Sequence, residues 1–232
     1  MNASSRVCAI ILTAMSLLVS GSIGAAEEAE TWDGLTRMKA KHMDAVFLLP
    51  GADFTGYTAV IIEPVEVALK ENWQRDVNRS RMGTRRVTDE QVQKMRTEVA
   101  EALPEVFARD FEKAGWTIAT EPAPHVLSLQ SAVINIDVAA PDTPSAGRVK
   151  SYSFDAGSAT LALEVRDSQT HQLLGRAVDA RRTPGGSASL QWTTSVSNRA
   201  DFQALFRDWS RILVNGMNEL KEGAEPEPQT GK

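Results

Sequence analysis

Arg75, Arg79, Arg81, Arg85 and Arg86 crowd into one short segment of a chain whose 30 acidic residues outnumber its 25 basic ones. A guanidinium presents a planar fork of donors that bonds phosphate or carboxylate oxygens in pairs. The segment is therefore a candidate contact surface for an anionic partner: a lipid head group, a polysaccharide phosphate or an acidic protein. The plainer alternative is a solvated loop whose arginines pair with Asp76, Asp89 and Glu90. Trp73 and Trp192 stand in polar surroundings beside turn-forming residues, where an exposed aromatic can anchor a partner. Packing in the core or at its rim is the simpler reading for both.

Catalytic chemistry finds little support in the residue types. A serine nucleophile needs a base within hydrogen-bond reach, and the three histidines, His42, His125 and His171, occur in weakly patterned or turn-like surroundings with no Gly-x-Ser-x-Gly elbow. There is no His-x-x-x-His pair and no calcium-loop motif, so neither a metal nor an organic cofactor is expected. Glu63 and Glu66 could form a carboxylate pair, but three apart on one strand they point to opposite faces unless Pro64 bends it. Thr183-Pro184-Gly185-Gly186-Ser187 lacks the lysine and helix N-terminus of a phosphate loop. No catalytic residue is assigned.

The chain that must position these side chains begins with an export signal. Met1 to Ala26 holds one basic residue (Arg6), no acidic residue, an apolar run from Ala9 to Val19 and a small-residue stretch ending Gly24-Ala25-Ala26. That layout is a signal peptide cleaved after Ala26, and its apolar run is too short for a permanent span. Cleavage turns 25 basic against 30 acidic residues into 24 against 30, a net charge near −6. Such a charge argues against nucleic-acid binding. The single cysteine, Cys8, lies inside the signal, so the mature chain forms no disulfide or thiolate site. Cys8 precedes the apolar core, which argues against lipid attachment. A periplasmic or otherwise exported location follows, with no membrane span in the mature chain.

The mature sequence reads as one domain over residues 27–222 and a disordered, Pro- and Glu-rich tail over 223–232. Leu35, Met38 and Met43 suit a short helix face, and Val46 to Leu49 a strand or buried arm. After the turn Pro50 to Gly56, β-branched residues from Tyr57 to Ala68 predict a buried strand that bends or lies at an edge at Pro64. Asn72 to Arg86 reads as loop. Thr88-Asp89-Glu90-Gln91 is a capping box for a helix whose apolar residues, Val92, Met95, Val99, Leu103, Val106, Phe107 and Phe111, recur every three or four positions. Pro104 predicts a kink and Gly115 the stop.

Further strands are expected over 116–120, over 126–139 with a bulge near Val133, over Ala159 to Arg166 and, past the turn Asp167 to Thr170, over Gln172 to Arg182. Pro141 to Gly147 and Thr183 to Ser189 read as loops. A second long helix capped by Ser197 or Asn198 carries the stripe Phe202, Leu205, Phe206, Trp209, Leu213. The order predicts an α+β fold: an antiparallel or mixed sheet with two long amphipathic helices packed on one face.

Three segments together resemble a known family: Pro50-Gly51-Ala52-Asp53-Phe54 through Val65, the hairpin Glu164-Val165-Arg166-Asp167 through Arg182, and Phe206-Arg207-Asp208-Trp209. The chain is similar over most of its mature length to bacterial proteins known as a domain of unknown function, DUF3313. The resemblance implies an exported, often lipidated protein and brings no catalytic residues with it. The function expected from all this is a non-enzymatic envelope protein, a binding or accessory module acting through its loops and free sheet face. A hydrolase of an envelope polymer or lipid is the second reading, and a soluble carrier holding an apolar ligand between sheet and helices the third. A pocket with apolar lining favours the carrier, a cleft with converging Asp, Glu and His the enzyme.

Overall fold

Alternating apolar residues and Gly- or Pro-marked turns divide the chain into nine strands and three helices, seen in a computed structural model that describes residues 30–79, 81–83, 86–137, 158–182 and 195–230, the side chains of 195–201 excepted. In chain order they are β1 (Thr31–Trp32), β2 (Leu35–Met38), β3 (Ala45–Leu48), β4 (Ala59–Ile62), β5 (Glu66–Leu69), α1 (Trp73–Arg79), α2 (Asp89–Lys113), β6 (Thr117–Ile118), β7 (Val126–Asp137), β8 (Ser158–Asp167), β9 (Leu173–Arg182) and α3 (Ser195–Lys221). Residues 1–29, where the signal peptide is expected, and the segments 138–157 and 183–194 lie outside the described residues, and with them the two expected Pro/Gly-rich loops and Trp192; Arg85 lies outside them as well.

The fold is α+β, and its sheet is mixed. The strands run β1-β2-β3-β9-β8-β7-β4-β6, with β5 continuing beside β7 where β4 leaves it. Pairing is antiparallel from β1 through β7, whereas β4 and β5 lie parallel to β7 and β4 parallel to β6. Parallel neighbours need a crossover, and α2 supplies it between β5 and β6.

α2 starts as its sequence demands. Thr88 Oγ1 accepts from Gln91 N at 3.3 Å while Gln91 Oε1 accepts from Thr88 N at 3.0 Å, so the capping box is complete. Pro104 is accommodated inside the helix, and Gly115, at φ +85°, follows the last turn. Val92, Leu103, Val106, Phe107 and Phe111 are buried. They share one core with Phe202, Phe206, Trp209 and Leu213 of α3 and with the odd-numbered residues Ala159, Leu161, Leu163 and Val165 of β8. Two indole N–H groups tie elements together across this core. Trp116 donates to Asn218 Oδ1 at 2.7 Å, and Trp209 to Asp179 Oδ2 at 2.8 Å.

Several elements depart from the sequence reading. Leu35 to Met38 is strand, because pairing with β1 and β3 satisfies its backbone on both sides. The expected strand 57–68 is two strands, broken at Glu63-Pro64-Val65, where proline has no N–H to give β7. The bulge in β7 falls at Asn135, φ +52°, two residues beyond the expected place; there the registers with both β8 and β5 slip. α3 begins at Ser195, so Ser197 and Asn198 are inside it. The described part of the tail runs to residue 230. Gln229 N donates to Arg37 O and Lys39 N to Glu227 O, both at 2.8 Å, so the segment adds to the free edge of β2 beyond β1.

The β8–β9 hairpin is closed by Asp167. Its Oδ1 accepts from Thr170 N at 2.7 Å, Thr170 Oγ1 at 2.9 Å and Gln169 N at 3.0 Å, while Tyr57 Oη donates to Oδ2 at 2.8 Å. The Thr170 backbone N–H, foremost among these bonds, holds the carboxyl below the usual aspartate range. Burial first, and then Asp167, pushes the Tyr57 phenol up to about 12. The aspartate therefore contributes stability above its unfolded value near ~3.9 that is lost as pH falls through its lower folded value. The neutral phenol contributes stability below about pH 10 that is lost as pH rises towards the folded value. Urea midpoints measured against pH check this: Asp167→Asn is expected to flatten the acid limb below about pH 4 relative to wild type. Parallel acid limbs would contradict it.

Candidate functional site

The face of the sheet opposite the α2–α3 core carries a trough of about 520 Å³. Its hollow comes from strand register. Ala45 of β3 pairs with Val178 of β9, Val178 with Ala162 of β8, Ala162 with Ala132 of β7, and Ala132 with Glu66 of β5. Four small side chains therefore lie in one row across the strands, where larger residues would fill the space. Ile134 and Thr160 continue the lining on one side of this row.

On the other side runs a second row, Phe47, Arg176, Glu164 and Gln130, from the same four strands. Arg176 is only 5% exposed. Its Nη2 and Nε donate to Glu164 Oε1 at 2.6 and 3.1 Å, its Nη1 donates to Asp33 Oδ2 at 3.0 Å, and its guanidinium carbon lies 3.9 Å from the centre of the Trp32 ring. Trp32 meets Phe47 edge-on, with ring centres 5.5 Å apart. A guanidinium stacked on an indole while doubly ion-paired is a rigid wall. Arg37, bonded to Glu30, continues that wall.

Glu63, Pro64 and Glu66 line the trough from the β4–β5 side. The break at Pro64 brings the two carboxylates, three apart in sequence, to one cavity, where an unbroken strand would have sent them to opposite faces. Ser128 Oγ donates to Glu63 Oε1 at 2.9 Å.

The arginine segment is built differently from the expected loop. Its first part is the short helix α1, and Trp73 there is 3% exposed and packs into the core instead of standing free as an anchor. Asn78 ties the end of α1 to the residue before the α2 cap: its Nδ2 donates to Val87 O at 2.9 Å, and Val87 N donates to its Oδ1 at 2.7 Å. Arg75 and Arg79, 65% and 75% exposed, share Asp76 at 3.4 and 3.5 Å, while Asp89 is bonded by Gln74. Arg86 is exposed and Arg81 half-buried. None of the described arginines of this segment is among the residues that line the trough.

The three histidines do not converge on the trough. His125 and His171 occupy left-handed turn positions, φ +65° and +58°, and all three imidazoles are exposed. Among the described residues no group of three or more His, Cys, Asp or Glu could hold a metal ion, and no helix is long and apolar enough to cross a membrane.

Sequence reasoning missed the trough. The even-numbered face of β8, Thr160, Ala162, Glu164, was recognisable as the face away from the core. That its alanine lines up with those of β3 and β7 depends on pairing between segments far apart in the chain.

Fold and surface define an α+β domain with a mixed nine-stranded sheet, helices built into its core and a hollow on the other face. Residues 25–213 match the family described as protein of unknown function, DUF3313, and the chain belongs to that family. Among solved structures it is similar to protein XCC0632 from Xanthomonas campestris, at 13% identity and a TM-score of 0.37 over 80% of this chain and 94% of that one. A PelC dodecamer from Paraburkholderia phytofirmans is 12% identical, with a TM-score of 0.34 over 71% and 95%. A neuraminyllactose-binding hemagglutinin homolog from Helicobacter pylori is 15% identical, with a TM-score of 0.33 over 73% and 85%. No curated protein matches the chain.

Proposed function

We propose that this protein is a non-enzymatic binding module of the exported compartment and that its ligand surface is the trough on the open sheet face. The observation that carries this reading is the row Ala45–Val178–Ala162–Ala132, which opens a hollow between the Trp32–Arg176 wall and the Glu63–Pro64–Glu66 wall. Its volume lies within the range that encloses small organic ligands, about 300–1,000 Å³. The apolar floor favours the body of such a ligand, and the rim supplies polar groups to orient it. The hollow lies on the opposite side from where an apolar carrier would keep its cargo, since the sheet–helix layer is occupied by the core.

Native mass spectrometry of the chain purified from its own cells tests this reading. Bound small-molecule masses are expected on the wild-type protein and not on Ala162→Trp, whose indole would fill the trough. The same bound masses on both would overturn it.

A separate contact surface is proposed at Arg75, Arg79, Arg81, Arg85 and Arg86. It rests on the exposure of Arg75 and Arg79, two guanidinium groups sharing a single carboxylate. Vesicles with and without anionic lipid test it: Arg75→Gln with Arg79→Gln should weaken binding to the anionic ones at low salt, and equal binding by both proteins would remove it.

A further inference from the structure

The two sides of the trough differ electrically. On the β1–β2 side each cation has its counter-charge: Arg37 with Glu30, and Arg176 with Glu164 and Asp33. Arg166 adds a further bond to Glu164, at 2.6 Å. On the β4–β5 side stand two carboxylates. Glu63 has the Ser128 hydroxyl, a neutral donor, and no described residue is bonded to the side chain of Glu66. Lys70, one residue beyond the end of β5, is engaged by Asp137.

A ligand whose apolar body covers the alanine row would take these two carboxylates partly out of water. Desolvating a carboxylate is costly unless a cation compensates it. A neutral ligand leaves the cost standing, and an anionic one adds repulsion. A cation at the same end of the ligand removes it. The row from β3 to β5 spans four interstrand steps, about 19 Å at ~4.8 Å each. The aromatic wall at Trp32 and Phe47 closes the far side, so the apolar end points there and the charged end points to Glu63 and Glu66.

Building on the reading of the trough as the binding surface, we propose that its ligand is an amphipathic amine: an alkyl or aralkyl ammonium whose apolar body crosses Ala45, Val178, Ala162 and Ala132 and whose ammonium sits between Glu63 and Glu66.

Titration calorimetry with decylamine, decanol and decanoate as probes tests this on the purified chain. Decylamine is expected to bind about tenfold tighter than decanol, as one compensated charge pair would give, and decanoate to bind weakest. Glu63→Gln with Glu66→Gln is expected to abolish the preference for the amine over the alcohol, the amine losing its counter-charge and the alcohol binding at least as tightly as to the wild-type protein because no carboxylate is then desolvated. Ala162→Trp is expected to abolish binding of both, and Ala45→Leu, the milder filling change, to weaken both. Circular dichroism melts of each variant show whether the fold is kept. Equal affinity for amine and alcohol in the wild-type protein, with Ala162→Trp still abolishing both, overturns the amine assignment and leaves the trough standing. Binding that neither filling variant alters overturns the trough reading itself.

Discussion

Trp209→Ala is expected to destabilise the chain by about 3–5 kcal/mol, the largest single-residue effect in the molecule. The indole is fully buried and stacks on Phe206 with ring centres 6.1 Å apart and planes 21° apart. It sits in the same cluster as Leu161, Leu163 and Phe107, so truncation leaves a cavity bounded by sheet and both long helices. The cost has a second part. Asp179, 4% exposed, takes the indole N–H at 2.8 Å and is also bonded by Arg181 and by Asp44 N. Losing the indole leaves a buried carboxylate one donor short. Trp209→Phe separates the two parts: it keeps most of the ring packing and removes the donor, for an expected loss of about 1–3 kcal/mol. Urea unfolding of both variants measures the difference. A loss below about 1 kcal/mol for the alanine variant would show that the α3 stripe does not hold the core together.

The second large effect is expected at Arg176. Removing one member of a buried ion pair commonly costs about 3–5 kcal/mol because the partner is left uncompensated. Here the partners are less sheltered, with Glu164 18% and Asp33 45% exposed, and water screens part of the loss. About 2–4 kcal/mol is expected for Arg176→Ala. The double variant Arg176→Met with Glu164→Met removes both charges and keeps the bulk, so it is expected to be at least as stable as Arg176→Ala. If it proves less stable than the single variant, the ion pair is not the source of the cost. Tryptophan emission gives an independent reading, since the guanidinium lying on Trp32 is lost in both variants.

The elements that were legible in the sequence are those whose cause is local. The α2 capping box needs only Thr88 and Gln91, and the buried face of β8 only the alternation of Ala159, Leu161, Leu163 and Val165. The family, too, was legible, because its resemblance lies in turn and packing segments that stay together along the chain. What sequence did not disclose depends on distant partners. Leu35 to Met38 is a strand because β1 and β3 flank it, and residues 227–229 pair with the edge of β2 beyond β1. The arginine segment looked like loop because it lacks an apolar period. Trp73 nevertheless docks into the core, and the Asn78–Val87 bracket closes the return.

The candidate site shows the same division. Glu63 and Glu66 were visible as a pair and Pro64 as a bend, and the bend is what joins them. The alanine row became visible only once the registers of β3, β9, β8 and β7 were known, because alanine announces neither strand nor site.

Methyl chemical-shift mapping tests the central claim most directly. With alanine methyls labelled and the decylamine probe added, Ala45, Ala132 and Ala162 are expected to shift together and to saturate at one common concentration. Ala159 and Ala177, on the core side of the same strands, are expected to stay in place. Shifts at the core-side methyls, or no shift at the three trough methyls while the probe still binds, would contradict the assignment of the open sheet face as the binding surface.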